Sequence, residues 1–258
     1  MQKIYIWSLP TRVFHFLFAF FILLVFISSE EDRWLSYHAI IGYAIFILLI
    51  FRLAWGIFGP KHSKFKDFPM GKKNIKEFLN NIFEDKQKYV GHNPIASYVM
   101  ISMLVVCFFA VITGVLAYGI QEGKGIFAYL NSSFFEDMKL FKHIHEFLST
   151  LFLVLLASHI LGVISDRILH KKHETLNSIV TGYKKSENEQ GIKLNIFQKF
   201  LAFMFLAILV SFFIFNIAKP DNVLIASTFK AVDYKKENPL FVSECASCHT
   251  LYPSEFIA

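Results

Sequence analysis

The sequence is poor in charged residues and lacks the marks of a secreted or a repetitive protein. Only 18% of its 258 residues are charged, which is low for a soluble domain. It contains no internal repeat and no low-complexity segment, and the polar residues 28–32 after the first apolar run offer no small-residue cleavage site. These absences argue against a soluble protein and predict that the first apolar run is a retained anchor.

Apolar residues are abundant and are gathered into long runs. The chain is 55% hydrophobic and contains 31 Phe. A membrane-spanning helix needs about 20 mainly apolar residues. The sequence therefore predicts an all-α integral membrane protein with five spans, at residues 13–27, 39–57, 95–117, 144–164 and 200–217.

The basic residues are distributed unevenly along the chain. Of the 26 Lys and Arg, 18 lie before the first span, at the cytoplasmic edge of the second span (Arg52) or in the loops that follow the second and fourth spans. This is the positive-inside bias of a cytoplasmic face, so the net charge of +6 indicates topology and excludes a nucleic-acid partner. The bias predicts a bacterial inner-membrane protein with a cytoplasmic N-terminus and a periplasmic C-terminus.

Three units are predicted: a four-span domain (1–183), a linker with the fifth span (184–218) and a periplasmic tail (219–258). Residues 184–191 are polar and read as the linker. In the large basic loop, residues 72–83 have apolar positions at helical spacing, which predicts a helix lying on the lipid surface.

Four of the ten histidines fall within or at the mouths of spans, where an ionisable residue indicates function. The predicted topology places His15 and His159 at the cytoplasmic level and His38 and His145 at the external level. The 14 residues from His145 to His159 make almost four turns, about 21 Å. Both therefore share one helix face, whereas His143 points away from it. Two histidine pairs at two depths predict bis-histidine ligation of two haems b; interhelical hydrogen bonding is the simpler alternative.

The remaining polar and small residues of the spans have plainer interpretations. Arg12 and Arg52 suit either haem propionates or lipid phosphates, and we take phosphates as the simpler interpretation. Cys107 is predicted to be an apolar filler. The histidines of the basic loops are predicted to be solvated or in contact with headgroups: His62, His92, His170 and His173.

The tail contains Cys245, Cys248 and His249 in the spacing C-x-x-C-H, which is typical of covalent haem c attachment. A thioredoxin-like dithiol would need a βαβ context, and a zinc site would need a second ligand pair; the tail has neither. Haem c is attached on the oxidising side of the membrane, where five spans place this tail. No Met or His follows to provide a sixth ligand. The haem is then five-coordinate, or another subunit or His143 completes it, or the tail is the start of a longer domain, which is the alternative we favour.

The chain resembles the bacterial cytochrome b561 family, which includes b-type cytochrome subunits of nickel-iron hydrogenases. The resemblance covers about residues 1–183 and rests on the stretches WSLPTRVFHF, HAIIG, FRLAWGIFGPKHSKF and GHNP, with the pairs His145-Glu146 and Ser158-His159. It implies a four-helix transmembrane bundle holding two haems b, with His15 paired to His159 and His38 to His145. The tail motif is similar to that of dihaem cytochromes c.

The resemblance implies electron transfer between quinone and a periplasmic partner, a c-type cytochrome or an oxidoreductase subunit, and the tail predicts a tethered haem c on that route. One alternative is the membrane anchor of a hydrogenase or a related oxidoreductase. Another is a superoxide:quinone oxidoreductase, for which Lys139 and Lys142 are the basic residues near the external level.

Overall fold

The computed structural model of the chain is a bundle of five long helices. It describes residues 2–82, 89–132, 134, 139–169, 175–186, 190–227 and 239–245. The long helices are α1 (Leu9–Ile27), α2 (Leu35–Phe58), α4 (Pro94–Ile120), α5 (Leu140–Leu169) and α7 (Ile196–Ala218). The short elements are β1 (Gln2–Tyr5), α3 (Lys72–Asn80), α6 (Thr175–Thr181), β2 (Tyr183–Ser186) and α8 (Pro239–Cys245).

All five predicted spans are confirmed as helices long and apolar enough to cross a membrane. The helices extend beyond the apolar runs because polar and interfacial residues continue the hydrogen-bonded ladder past the hydrocarbon core. The first span begins at Leu9 and the fourth continues to Leu169. A single turn of 3-10 helix, Asp32–Trp34, leads into α2.

Capping residues in the sequence explain where three of these helices begin. Asn93 accepts a hydrogen bond from the backbone N–H of Ala96 at 2.8 Å and is followed by Pro94. Asn195 and Gln198 form a reciprocal capping box at the start of α7. Ser8, followed closely by Pro10, caps α1. These residues satisfy N–H groups that the first helical turn leaves without a partner.

Helix α2 lies at the centre of the bundle. It packs against α1, α4 and α7, while α5 packs along α4. Cys107 lies in the shared core with 4% of its surface exposed, as expected for an apolar filler. The other buried core residues are Phe21, Ile22, Ala44, Ile45, Leu48, Leu49, Val111, Phe152 and Leu209.

The N-terminal residues and the described parts of the two Lys- and Arg-rich segments, 59–82 with 89–93 and 175–186 with 190–195, meet at one end of the bundle, here called the basic end. Strand β1 pairs antiparallel with β2, with Tyr5 opposite Tyr183. Residues 184–186, at the start of the predicted linker, belong to strand β2, and Lys184 is only 4% exposed. The opposite end is called the distal end.

At the distal end, the chain that leaves α7 is fixed to the loop between α4 and α5. The N–H of Gly125 donates to the carbonyl of Ala226 at 2.9 Å, and Lys124 and Ser227 form an isolated antiparallel β-bridge. Asn222 holds this turn, since its side chain donates to Asn216 Oδ1 at 3.0 Å and its Oδ1 accepts from the N–H of Leu224 at 2.9 Å. The base of the tail thus lies against the distal loop.

Candidate functional site

The structure brings the four intramembrane histidines together as two pairs. His15 on α1 faces His159 on α5, with ring centroids 6.4 Å apart. His38 on α2 faces His145 on α5, with centroids 6.1 Å apart. The first is here called the basic-end pair and the second the distal pair; on α5 they are 14 residues apart, about 21 Å along the axis.

The spacing within each pair suits two imidazoles on opposite faces of one metal ion. A metal-bound histidine nitrogen lies about 2 Å from the metal, and the ring centroid lies about 1 Å beyond that nitrogen. Two such rings have centroids roughly 6 Å apart, which matches the 6.4 and 6.1 Å observed. The pairs therefore have room for an iron atom between them.

A main-chain carbonyl orients His38 in the distal pair. Its Nδ1 lies 2.9 Å from the carbonyl oxygen of Val25. Helix α1 ends two residues later at Ile27, so this carbonyl belongs to the last turn, which lacks intrahelical partners. Only a protonated Nδ1 can donate to a carbonyl, so Nε2 keeps the lone pair that a metal requires. Ser28 donates to the same carbonyl at 3.0 Å.

His145, the other member of the distal pair, is oriented in the same way from α4. Its Nδ1 lies 2.8 Å from the carbonyl oxygen of Ala110. The ring reaches that carbonyl because Gly114, one turn later, has no side chain; a Cβ there would lie 2.8 Å from Cε1 of His145. A glycine inside the span therefore provides space for the imidazole, and Nε2 of His145 is again left for a metal.

Among the described residues, no main-chain carbonyl orients either histidine of the basic-end pair in this way. Nδ1 of His15 is buried, and within the described part of the chain it has no hydrogen-bond partner. Beside each pair, a helix glycine opens onto free space: Gly162 follows His159 by three residues, Gly42 follows His38 by four, and a Cβ on either would meet no atom within 4 Å. Paired imidazoles next to such gaps fit a flat, iron-containing macrocycle.

Three predictions about the basic end are wrong, those for Arg52, His62 and His92. Arg52 was expected to contact lipid phosphates, but it is only 6% exposed, because the loop that follows α2 folds back over it. Its Nη1 donates to the carbonyl of Ser63 at 3.1 Å, and its guanidinium lies 4.7 Å from the ring centre of Phe65. His62 was expected to be solvated, but it is 8% exposed, and its backbone N–H donates to Asp67 at 3.1 Å.

His92 was also expected to be solvated. Its ring instead packs between Trp7 and Phe68, with centroids 5.0 and 4.9 Å away. Burial, followed by the nearby charge of Arg52, lowers the pKa of His92 to about 3, so it is neutral at physiological pH. His170 and His173 lie outside the described residues.

The remaining predicted positions divide between exposed and undescribed ones. His143 is exposed and lies 3.6 Å from Glu146, consistent with the helical phase that excluded it. Cys245 ends helix α8, while Cys248 and His249 lie outside the described residues. Within the described ranges, no group of three or more His, Cys, Asp or Glu residues could hold a bare metal ion.

Comparison with known proteins identifies the family. The family model of prokaryotic cytochrome b561 matches residues 6–182. A probable Ni/Fe-hydrogenase B-type cytochrome subunit of Rhizobium leguminosarum bv. viciae is 28% identical over an alignment that covers 48% of this chain and 62% of that relative. No solved structure matches the chain significantly. The chain therefore belongs to the prokaryotic cytochrome b561 family of membrane-bound b-type cytochromes.

Proposed function

We propose that this protein binds two haems b, one between His15 and His159 and one between His38 and His145, and carries electrons between membrane quinone and a periplasmic redox partner. The observation that carries the proposal is the spacing of the two pairs, whose ring centroids lie 6.4 and 6.1 Å apart. Two unrelated helix contacts would not be expected to give the same spacing at two depths.

The protein's task in this proposal is to hold and tune the cofactors. Bound haem supplies one-electron chemistry. The four imidazoles would hold the haem irons, and the carbonyls of Val25 and Ala110 keep the distal imidazoles in one tautomer. The apolar side chains of α1, α2, α4 and α5 exclude water around both levels.

The tail is proposed to add a covalent haem c through Cys245 and Cys248, with His249 as an axial ligand. Support comes from the base of the tail, which is held against the distal loop by Gly125 and Asn222. A c-type haem attached to this tail would therefore be tethered at the same end of the bundle as the distal pair.

Orientation and domain organisation follow the distribution of charge. The basic end is proposed to face the bacterial cytoplasm, with the C-terminus in the periplasm. A four-span cytochrome b domain (1–183), a linker with the fifth helix (184–218) and a haem c tail (219–258) are proposed as the three units. The lipid bilayer surrounds all five spans.

A second candidate function is the membrane anchor of an oxidoreductase. The observation that favours it is the relative named as a B-type cytochrome subunit of a Ni/Fe-hydrogenase. Purification from native membranes in mild detergent distinguishes the two functions. A stoichiometric catalytic subunit that remains bound would favour the anchor, whereas a chain isolated alone with full haem content would favour the quinone route.

A pyridine haemochrome spectrum of the purified protein tests the proposal. We expect two haems b and one haem c per chain. Cys248→Ser should remove the covalent haem and leave both haems b, while the matched control Cys107→Ser, in the apolar core, should keep all three. One haem b per chain would overturn the two-site proposal, and no covalent haem would overturn only the tail assignment.

A further inference from the structure

Arg52 lies at the depth of the basic-end pair. It follows His38 on α2 by 14 residues, the same interval that separates His145 from His159 on α5. Both helices run from the distal end to the basic end, and 14 residues return nearly to the same face after almost four turns. Arg52 is therefore the counterpart on α2 of the haem-ligand candidate His159.

Arg52 carries a buried charge that has no acidic partner among the described residues. It is 6% exposed, and within the described ranges its contacts are one bond to the carbonyl of Ser63 and the rings of Phe65 and Phe68. Burying a guanidinium away from water is costly unless an anion compensates for the charge. The loop that covers Arg52 separates it from lipid phosphates.

Two further nitrogens in the same region lack partners. Arg12, three residues before His15, donates from Nη1 to the carbonyl of Val180 at 2.6 Å, but its Nε is buried with no hydrogen-bond partner among the described residues. The Nδ1 of His92 is also buried with no hydrogen-bond partner among the described residues. His92 lies within electrostatic range of both Arg52 and His159, and Arg12 lies on α1 with His15, the partner of His159.

We propose that Arg52, together with Arg12 and His92, binds the two propionate carboxylates of the haem held by His15 and His159. Two guanidinium groups balance two carboxylates, and the charge-assisted bonds between them are among the strong hydrogen bonds of proteins. The cluster fixes the rotation of the macrocycle and raises its reduction potential, because a nearby cation stabilises the reduced, less positive iron. The inference rests on the proposed two-haem function.

The test is a redox titration of the intact protein in a His38→Ala background, which retains only the basic-end haem. At the potential where that haem is half reduced, Arg52→Gln should lower the ratio of reduced to oxidised haem about tenfold. Arg167→Gln removes the same charge from an exposed position at the end of α5 and should leave the ratio nearly unchanged. Equal effects of the two variants, or no effect of Arg52→Gln, would overturn the proposal.

Two further measurements keep the outcome decisive. If Arg52→Gln does not assemble with haem, two other variants in the His38→Ala background replace it. Arg52→Lys retains the charge and should keep the ratio of reduced to oxidised haem within about threefold of that of the His38→Ala protein, whereas Arg12→Gln should lower this ratio. A midpoint potential that changes with phosphate concentration would show that a free anion occupies the cluster and would overturn the assignment to propionates. A protein that loses no haem b in His38→Ala contradicts the two-haem function itself, before Arg52 is tested.

Discussion

The distal and basic-end histidine pairs have similar spacing but different surroundings. In the distal pair, each Nδ1 faces a main-chain carbonyl, of Val25 for His38 and of Ala110 for His145. In the basic-end pair, His15 has a buried Nδ1 with no hydrogen-bond partner in the described chain. The ring planes also differ, at 87° in the distal pair and 54° in the basic-end pair.

The difference indicates two ways to tune one kind of site. Hydrogen bonds from Nδ1 raise the basicity of a ligand and fix its tautomer, and they act at the distal level. Positive charge removed from water acts through the electric field, and the buried Arg52 and the partly buried Arg12 are proposed to provide it at the basic end. In the proposed function, the two haems therefore differ in potential without any difference in ligand type.

The largest expected effect comes from removing one ligand of either pair. His145→Ala should remove the distal haem and His15→Ala the basic-end haem, each halving the b-type absorbance per chain, because one imidazole cannot replace two axial bonds. His143→Ala is the matched control, since His143 is exposed on the same helix. Full b-type absorbance in His145→Ala would contradict the pairing.

A smaller effect, confined to the distal pair, is expected at Gly114. In Gly114→Val, the new side chain collides with the His145 ring, because even a Cβ lies 2.8 Å from Cε1. The imidazole is displaced from the Ala110 carbonyl, and distal haem occupancy should fall several-fold while the basic-end haem remains. Val105→Leu is the control, because Val105 is an exposed residue of the same helix α4. Absorbance spectra measure the haem content of both variants. Equal losses of haem in the Gly114 variant and in the control would mean that Gly114 has no specific role.

Much of this arrangement could be predicted from the sequence, because its main signals are local. Apolar run length predicts the five spans, and the 14-residue interval on α5 correctly placed His145 and His159 on one face. The phase argument also distinguished His145 from its neighbour His143. These inferences need only helix geometry and the order of the spans.

The parts that were missed depend on contacts distant in sequence. The burial of Arg52 results from the loop residues Ser63 and Phe65 folding back on α2, which no periodicity encodes. Strand β1 has only four residues, and its partner lies about 180 positions later, so neither segment carries a recognisable strand pattern. The carbonyl partners of the distal histidines cannot be predicted from the sequence either, since every residue type carries the same main-chain acceptor.

The smallest expected effect concerns titration at the basic end. Burial lowers the pKa of Lys184 from 10.5 to about 8, partly opposed by the charge of Asp166. Between those two values the unfolded chain binds more protons than the folded chain, so the free energy of unfolding should rise with pH from about 8 to about 10.5. Below pH 8 the folded protein bears the full free-energy cost of burying the charged Lys184, on the order of 3 kcal/mol for this shift.

Lys184→Met should remove that pH dependence. In detergent, the melting temperature of the wild-type protein should therefore rise above pH 8 relative to that of the variant. Lys185→Met is the matched control, because the adjacent Lys185 is more exposed than Lys184. The distal haem spectrum should stay constant through the titration, since the group that titrates lies at the other end of the bundle. A variant that keeps the wild-type slope would show that Lys184 does not bear the penalty, and a change in the distal spectrum would show that the two ends are coupled.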